Sequence, residues 1–187
     1  ERAEALGRPD WLAASHNQKG NALLGESFVA QAYVEYERAL ELMTDDEPTV
    51  WRAHVLMNLG YCNVLQERFR EGYTNLYRGL RMLRKLKAER YLASLLLDLC
   101  FAHLETGRYR YALRHATLAL HLAEKTGHAE AVKNALFLIG QAANLSGDAT
   151  GARGYFTRLH QDFFPRDKYL PGFLLAVDVR KMINLHA

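Results

Sequence analysis

The sequence predicts an all-α chain: an α-solenoid of about four helix pairs with a helix capping its C-terminal end. Two observations predict it. The first is a 3.6-residue rhythm of small and apolar side chains, plainest over 106–127, where Ala112, Ala116, Ala119 and Ala123 share a stripe with Leu113 and Leu120. The second is that this rhythm returns after 40 residues along the chain. Gly20, Gly60, Cys100 and Gly140 occupy one small site. Ala32, Gly72, Ala112 and Ala152 follow twelve residues later, and Tyr36, Leu76, Ala116 and Phe156 four beyond those. A fixed period of this size marks stacked supersecondary units, each packing on its neighbours, rather than one globular core. No alternating apolar run bounded by hairpin turns competes with the helices.

The elements follow in order. Aligning Gly140 with Gly20 drops Gly127 onto Gly7, so residues 1–8 read as the tail of a preceding, truncated repeat. The first repeat, 11–43, pairs helices at 11–24 and 28–43, with Asp10 and Ser27 as candidate N-caps. Acids and Pro48 in the next linker suit the positive start of a helix at 49–66. Its partner at 70–86 completes the repeat 49–86. The third repeat, 89–126, pairs 89–105 with 109–125 and ends at Gly127, a good terminating glycine. The fourth, 129–164, pairs 129–146 with 149–163. After Pro165 comes a break. Phe173, Leu174, Val177, Met182 and Ile183 then make 171–186 a helix able to cover the apolar side of the last repeat. The whole, 1–187, reads as a single array.

Composition narrows the function. No apolar run approaches the ~18–20 residues a bilayer-spanning helix needs, so no membrane partner is expected. A net charge of +3 is too slight to argue for nucleic acid. Cys62 and Cys100 sit in apolar helical runs and read as inert buried thiols in a reducing cytoplasm. The eight histidines are scattered, with no HExxH and no Cys/His cluster at ligand spacing, so no metal is expected. Phosphate-loop and nucleophile-elbow motifs are missing, and neither a cofactor nor a catalytic residue is nominated. Glycines at 147–154 mimic a loop, but Ala152 and Gly154 belong to the packed stripe. In the basic run 68–90, Arg78, Arg81 and Lys85 share a face that reads as solvated outer surface, with a patch for a phosphate or an acidic partner as the alternative.

The recurring residues resemble the tetratricopeptide repeat. Its pattern is visible as Gly20, Leu23, Ala32, Tyr36 and Ala39, and again as Asn58, Leu59, Gly60 and Phe69, with four units in phase over about 11–165. The family period is about 34 residues. The longer period here is similar to the long-helix variety of bacterial regulator and signalling proteins. The resemblance implies a right-handed superhelix whose first helices line a concave groove. Carried over position by position, the ligand-binding lining is Asn17, Asn21, His54, Met57, Asn58, Tyr61, Asp98, Phe101, Asn134, Phe137, Gln141 and Asn144.

Amide side chains donate and accept, so they can bracket a peptide backbone whatever its sequence. Asn58 and Asn134 are expected to hold their amides free, with Met57, Tyr61, Phe101 and Phe137 as a partly exposed apolar strip between them. Chaperone-binding members of the family grip a C-terminal carboxylate with lysines, asparagines and an arginine. Here Asn17 stands where the first Lys would be, Asn21 and Asn58 are kept, and Ser94 and Asp98 stand where cations belong. Asp98 would repel a carboxylate. The expected function is a non-catalytic module holding a peptide or protein segment, the interaction or sensor domain of a larger bacterial regulatory protein. The rival expectation is a self-assembly scaffold, with homo-oligomers joined through chain ends or outer helices near Leu83, Leu86 and Tyr91.

Overall fold

The computed structural model describes residues 9–43, 48–180 and 185. The expected repeat tail at 1–8, the linker acids and part of the expected capping helix lie outside them. Among the described residues every regular element is a helix. They are α1 Pro9–Gly25, α2 Val29–Leu42, α3 Val50–Leu65, α4 Phe69–Lys85, α5 Glu89–Glu105, α6 Tyr109–Lys125, α7 Ala129–Leu145, α8 Ala149–Phe163 and α9 Leu170–Ala176. None of these is long and apolar enough to cross a membrane.

The chain divides into two compact units, the first reaching Ala88 and the second running from Glu89 to Leu185. Within the first, α1 packs on α2, α2 on α3 and α3 on α4. Within the second, each helix from α6 to α9 packs on the one before it, and α7 also touches α5 and α9. Contact is thus neighbour to neighbour, the packing of an α-solenoid.

One turn design recurs. Ser27, Glu67, Lys87, Gly107, Gly127 and Gly147 all take positive φ, between 52° and 92°, at multiples of twenty residues. At each, the backbone closes a Schellman motif. In the third pair, Gly107 N–H donates to Leu104 O at 3.1 Å and Arg108 N–H to His103 O at 2.8 Å. The turns inside pairs at 27, 67, 107 and 147 and those between pairs at 87 and 127 are therefore the same structure.

Helix starts depart from expectation. Ser27 is the left-handed turn residue; Phe28 sits at the cap without a side-chain bond. Asp10 lies inside the first turn of α1, which begins at Pro9. The side-chain caps are instead Thr49, accepting from Arg52 N–H at 3.0 Å, and Asp148, accepting from Gly151 N–H at 2.9 Å.

The repeated small site works as read. A Cβ on Gly20 would stand 2.6 Å from the Tyr36 ring, on Gly60 2.6 Å from Leu76, and on Gly140 2.3 Å from the Phe156 ring. A Cβ of ordinary size does not fit at such separations, so glycine lets the second helix of each pair lay a large side chain on the first. In the third pair the volumes are exchanged, with Cys100 at the glycine site and Ala116 at the ring site, both fully buried. Ala32, Gly72, Ala112 and Ala152 are buried at the same interfaces. Each fully buried leucine around them, such as Leu76 or Leu136, contributes roughly 1.5–3 kcal/mol.

The terminal helix is shorter than expected. It starts at Leu170 and stops at Ala176, and Val177 is extended (φ −124°, ψ 127°). Asp178 explains part of this: its carboxylate accepts from Arg180 N–H at 3.2 Å, a local bond that competes with helix. The flanking Val177 and Val179 are β-branched and favour extended backbone.

Candidate functional site: the amide-bearing faces of α3 and α7

The nominated residues fall into two groups, one per compact unit. In the first, Asn17 and Asn21 lie on α1, and His54, Met57, Asn58 and Tyr61 on α3. Asn21 Oδ1 accepts two bonds, from Tyr36 Oη at 2.9 Å and from Asn58 Nδ2 at 3.1 Å. That triad stitches α1, α2 and α3 together. Asn58 is therefore not free, which corrects the expectation; its amide donates to the neighbouring repeat. What stays open is acceptor capacity, since Asn17 Oδ1 and Asn58 Oδ1 are buried without a hydrogen-bond partner.

The apolar strip is also corrected. Met57, Tyr61, Phe101 and Phe137 are 3%, 0%, 2% and 6% exposed. Asp98, at 2%, is no accessible charge either. The reason lies in α3, α5 and α7 themselves. Runs such as Leu95 to Leu104 are buried on nearly every side of the helix, and a helix apolar all round is wrapped by its neighbours rather than lined along one stripe.

In the second unit, α5 carries Asp98 and Phe101, and α7 carries Asn134, Phe137, Gln141 and Asn144. Here three amides have a shared task. Asn144 Nδ2 donates to Leu175 O at 3.0 Å, Gln141 Nε2 to Leu174 O at 3.4 Å, and Asn134 Nδ2 to Leu185 O at 3.3 Å. All three acceptors are main-chain carbonyls of the C-terminal segment. The expectation of a free Asn134 amide is corrected by the same contact. Leu174 and Val179 are buried, and Arg180 faces Glu105 at the end of α5, 3.1 Å away, in a pair with both side chains largely buried. Arg180 hydrogen-bonds Asp178 on its own segment, which with Glu105 favours the charged guanidinium and raises its pKa.

Sequence reasoning missed Glu105 and Arg180; their only signal was a separation of 75 positions between opposite charges, which no motif marks. It also missed a cleft of about 460 Å³ lined by Tyr33, Glu37, Glu41, Asn63, Arg70 and Glu71. Buried Glu35 escaped notice as well. Burial alone would raise its pKa, but hydrogen bonds from Lys19 at 2.9 Å and His16 at 2.6 Å outweigh that and hold it below the usual carboxylate range. Among the described residues no group of three His, Cys, Asp or Glu side chains could hold a metal ion. No protein-family model matches the chain, and no curated protein matches it.

Proposed function

We propose that this chain is a non-catalytic, peptide-binding module of the tetratricopeptide type, cytoplasmic, and the interaction or sensor part of a larger bacterial regulatory protein. One observation carries the reading. Asn134, Gln141 and Asn144, nominated because amides can bracket a backbone, hold three main-chain carbonyls of an irregular and short-helical segment. Contacts of that kind fix a chain without regard to its side chains. The 40-residue phase of the small sites supports the family assignment. Cys62 and Cys100, both free and buried, suit a reducing compartment.

The test is a peptide-library screen on the parent and on Asn17→Ala. Asn17 Oδ1 has no partner to lose, so its removal leaves melting unchanged or slightly improved. A bound peptide lost or weakened about tenfold in Asn17→Ala supports the module. A screen returning no peptide against either protein rejects it.

Self-assembly keeps one observation in its favour: exposed apolar side chains lie outside the nominated faces. Tyr111 and Leu118 on α6 are 56% and 40% exposed, while of the residues named for that rival Leu86 and Tyr91 are exposed and Leu83 is buried. Sedimentation over a range of concentrations decides. A dimer broken by Tyr111→Ser with Leu118→Ser favours the scaffold; a monomer throughout removes it.

A further inference from the structure

We infer that the face of α7 is a docking surface for a partner segment with the chemistry of this chain's own C-terminal segment, which fills it in cis and must leave for the partner to bind. This rests on the peptide-binding reading above and names the kind of peptide: an aliphatic pair, a short extended stretch, and an arginine six residues after the first aliphatic.

Three features separate a displaceable occupant from an integral cap. The first is what holds it. The side-chain amides of Asn144, Gln141 and Asn134 donate to main-chain carbonyls of Leu175, Leu174 and Leu185, so another main chain offering carbonyls at those places satisfies them equally. The second is how little of the segment is committed to the core. Leu174 and Val179 are buried, whereas Gly172, Phe173, Ala176, Val177 and Asp178 are exposed. A helix of seven residues is too short to hold itself together in water. The third is the anchor. Arg180 Nη1 and Glu105 Oε1 stand 3.1 Å apart, close enough for attraction, yet neither atom has a hydrogen-bond partner. The aligned bonds of Arg180 go to Asp178, so the pair is held by charge and not by geometry. A partner arginine that can aim at Glu105 gains what the resident one does not use.

Attachment also matters. Residues 164–169 join α8 to α9 and are exposed along their length. The segment therefore has a solvated link on which to swing away. An occupant on so short a tether acts at an effective concentration on the order of millimolar. A trans peptide meets only the fraction of molecules whose face is open, and its apparent affinity is reduced by that fraction.

The experiment uses the full chain and a fluorescent synthetic peptide covering residues 169–187, titrated by anisotropy. The parent is expected to bind it weakly. Arg180→Glu in the chain loosens the resident segment and should bind the unaltered peptide on the order of tenfold more tightly. Glu105→Arg should lose that binding and recover it for a peptide carrying the Arg180→Glu change, a charge swap that a general loosening of the fold does not reproduce. If Arg180→Glu costs helix content, Arg180→Gln is read in the same titration; loss of helix in both makes the segment an integral cap and overturns the inference. So does a loosened segment, shown by faster proteolysis at 164–169, with no gain in peptide affinity. A parent dimer made monomeric by Arg180→Glu also overturns it, since the occupant would then be a second copy of this chain. Peptides from the library screen that bind while the 169–187 peptide does not would sink this inference and leave the peptide-binding reading standing.

Discussion

Gly127 and Lys87 occupy the same place in the repeated turn, with φ of 64° and 52°, but only one of them has a side chain to strain. A Cβ at Gly127 meets nothing within 4 Å, so Gly127→Ala is a purely conformational change. It should cost about 1–2 kcal/mol, the left-handed penalty of an L-residue. Lys87→Gly runs the other way. It relieves that strain against roughly 0.5–1 kcal/mol of added chain entropy, a net gain of about 0 to 1.5 kcal/mol. Urea melts of the two variants measure both, and an unchanged midpoint for Gly127→Ala would contradict the turn assignment.

His103 is the second residue with a measurable consequence. Burial first, then His115 and Arg108, push its pKa down to about 4, and its ring stacks on those of Tyr111 and His115 at 5.4 and 5.1 Å. The fold holds it neutral, while the unfolded chain takes up a proton near pH 6.5. Between those values the unfolded state binds more protons, so this residue's contribution declines as pH falls from about 6.5 to about 4 and is level outside that window. His103→Gln should flatten the slope of stability against pH there. Glu35 acts in the same sense lower down, its contribution being lost only as pH falls through its depressed folded pKa.

At the scale of the element, the glycine–ring contact decides how two helices of a pair meet. Gly140→Cys alone should cost roughly 1–3 kcal/mol, because its Cβ collides with Phe156. Phe156→Ala alone should cost roughly 3–5 kcal/mol for the cavity. Made together they import the arrangement of the third pair, Cys100 with Ala116, and the double change should cost clearly less than the sum. A double-mutant cycle read from melts gives the coupling, and additivity would mean that the two sites do not share a contact.

This arrangement was legible in the sequence, because packing of neighbours leaves a periodic trace in side-chain volume. Ala32, Gly72, Ala112 and Ala152 could be placed for the same reason. Helix starts were less legible: Ser27 has the composition of a cap, but the Schellman geometry at α1 needs a left-handed residue there and overrides it. The end of α9 was missed because the Asp178–Arg180 bond is local polar chemistry, invisible to a count of apolar spacing.

For the molecule as a whole, neighbour-to-neighbour packing predicts that stability is built unit by unit. Residues 1–88 and 89–187, expressed separately, should each show helical circular dichroism and a cooperative melt. A fragment that stays unfolded would mean that its core is not its own. The candidate site was only half legible at this scale. Which residues lie on the first helices follows from the period. That Met57, Tyr61, Phe101 and Phe137 are covered, and that Asn134, Gln141 and Asn144 are engaged, depends on what packs against those helices. For α7 the covering piece is a segment with no repeat of its own.

The order of those pieces along the chain has a consequence for the nascent protein. Translation proceeds at about 5–20 residues per second, and α7 ends at Leu145 while its occupant begins at Leu170. Helix pairs with short connections close quickly, since few distant contacts are awaited. There is thus an interval on the order of seconds in which the amides of α7 are made but the segment that answers them is not yet synthesised. On the docking reading, a partner that reaches α7 before this segment folds back onto it need not compete for the face.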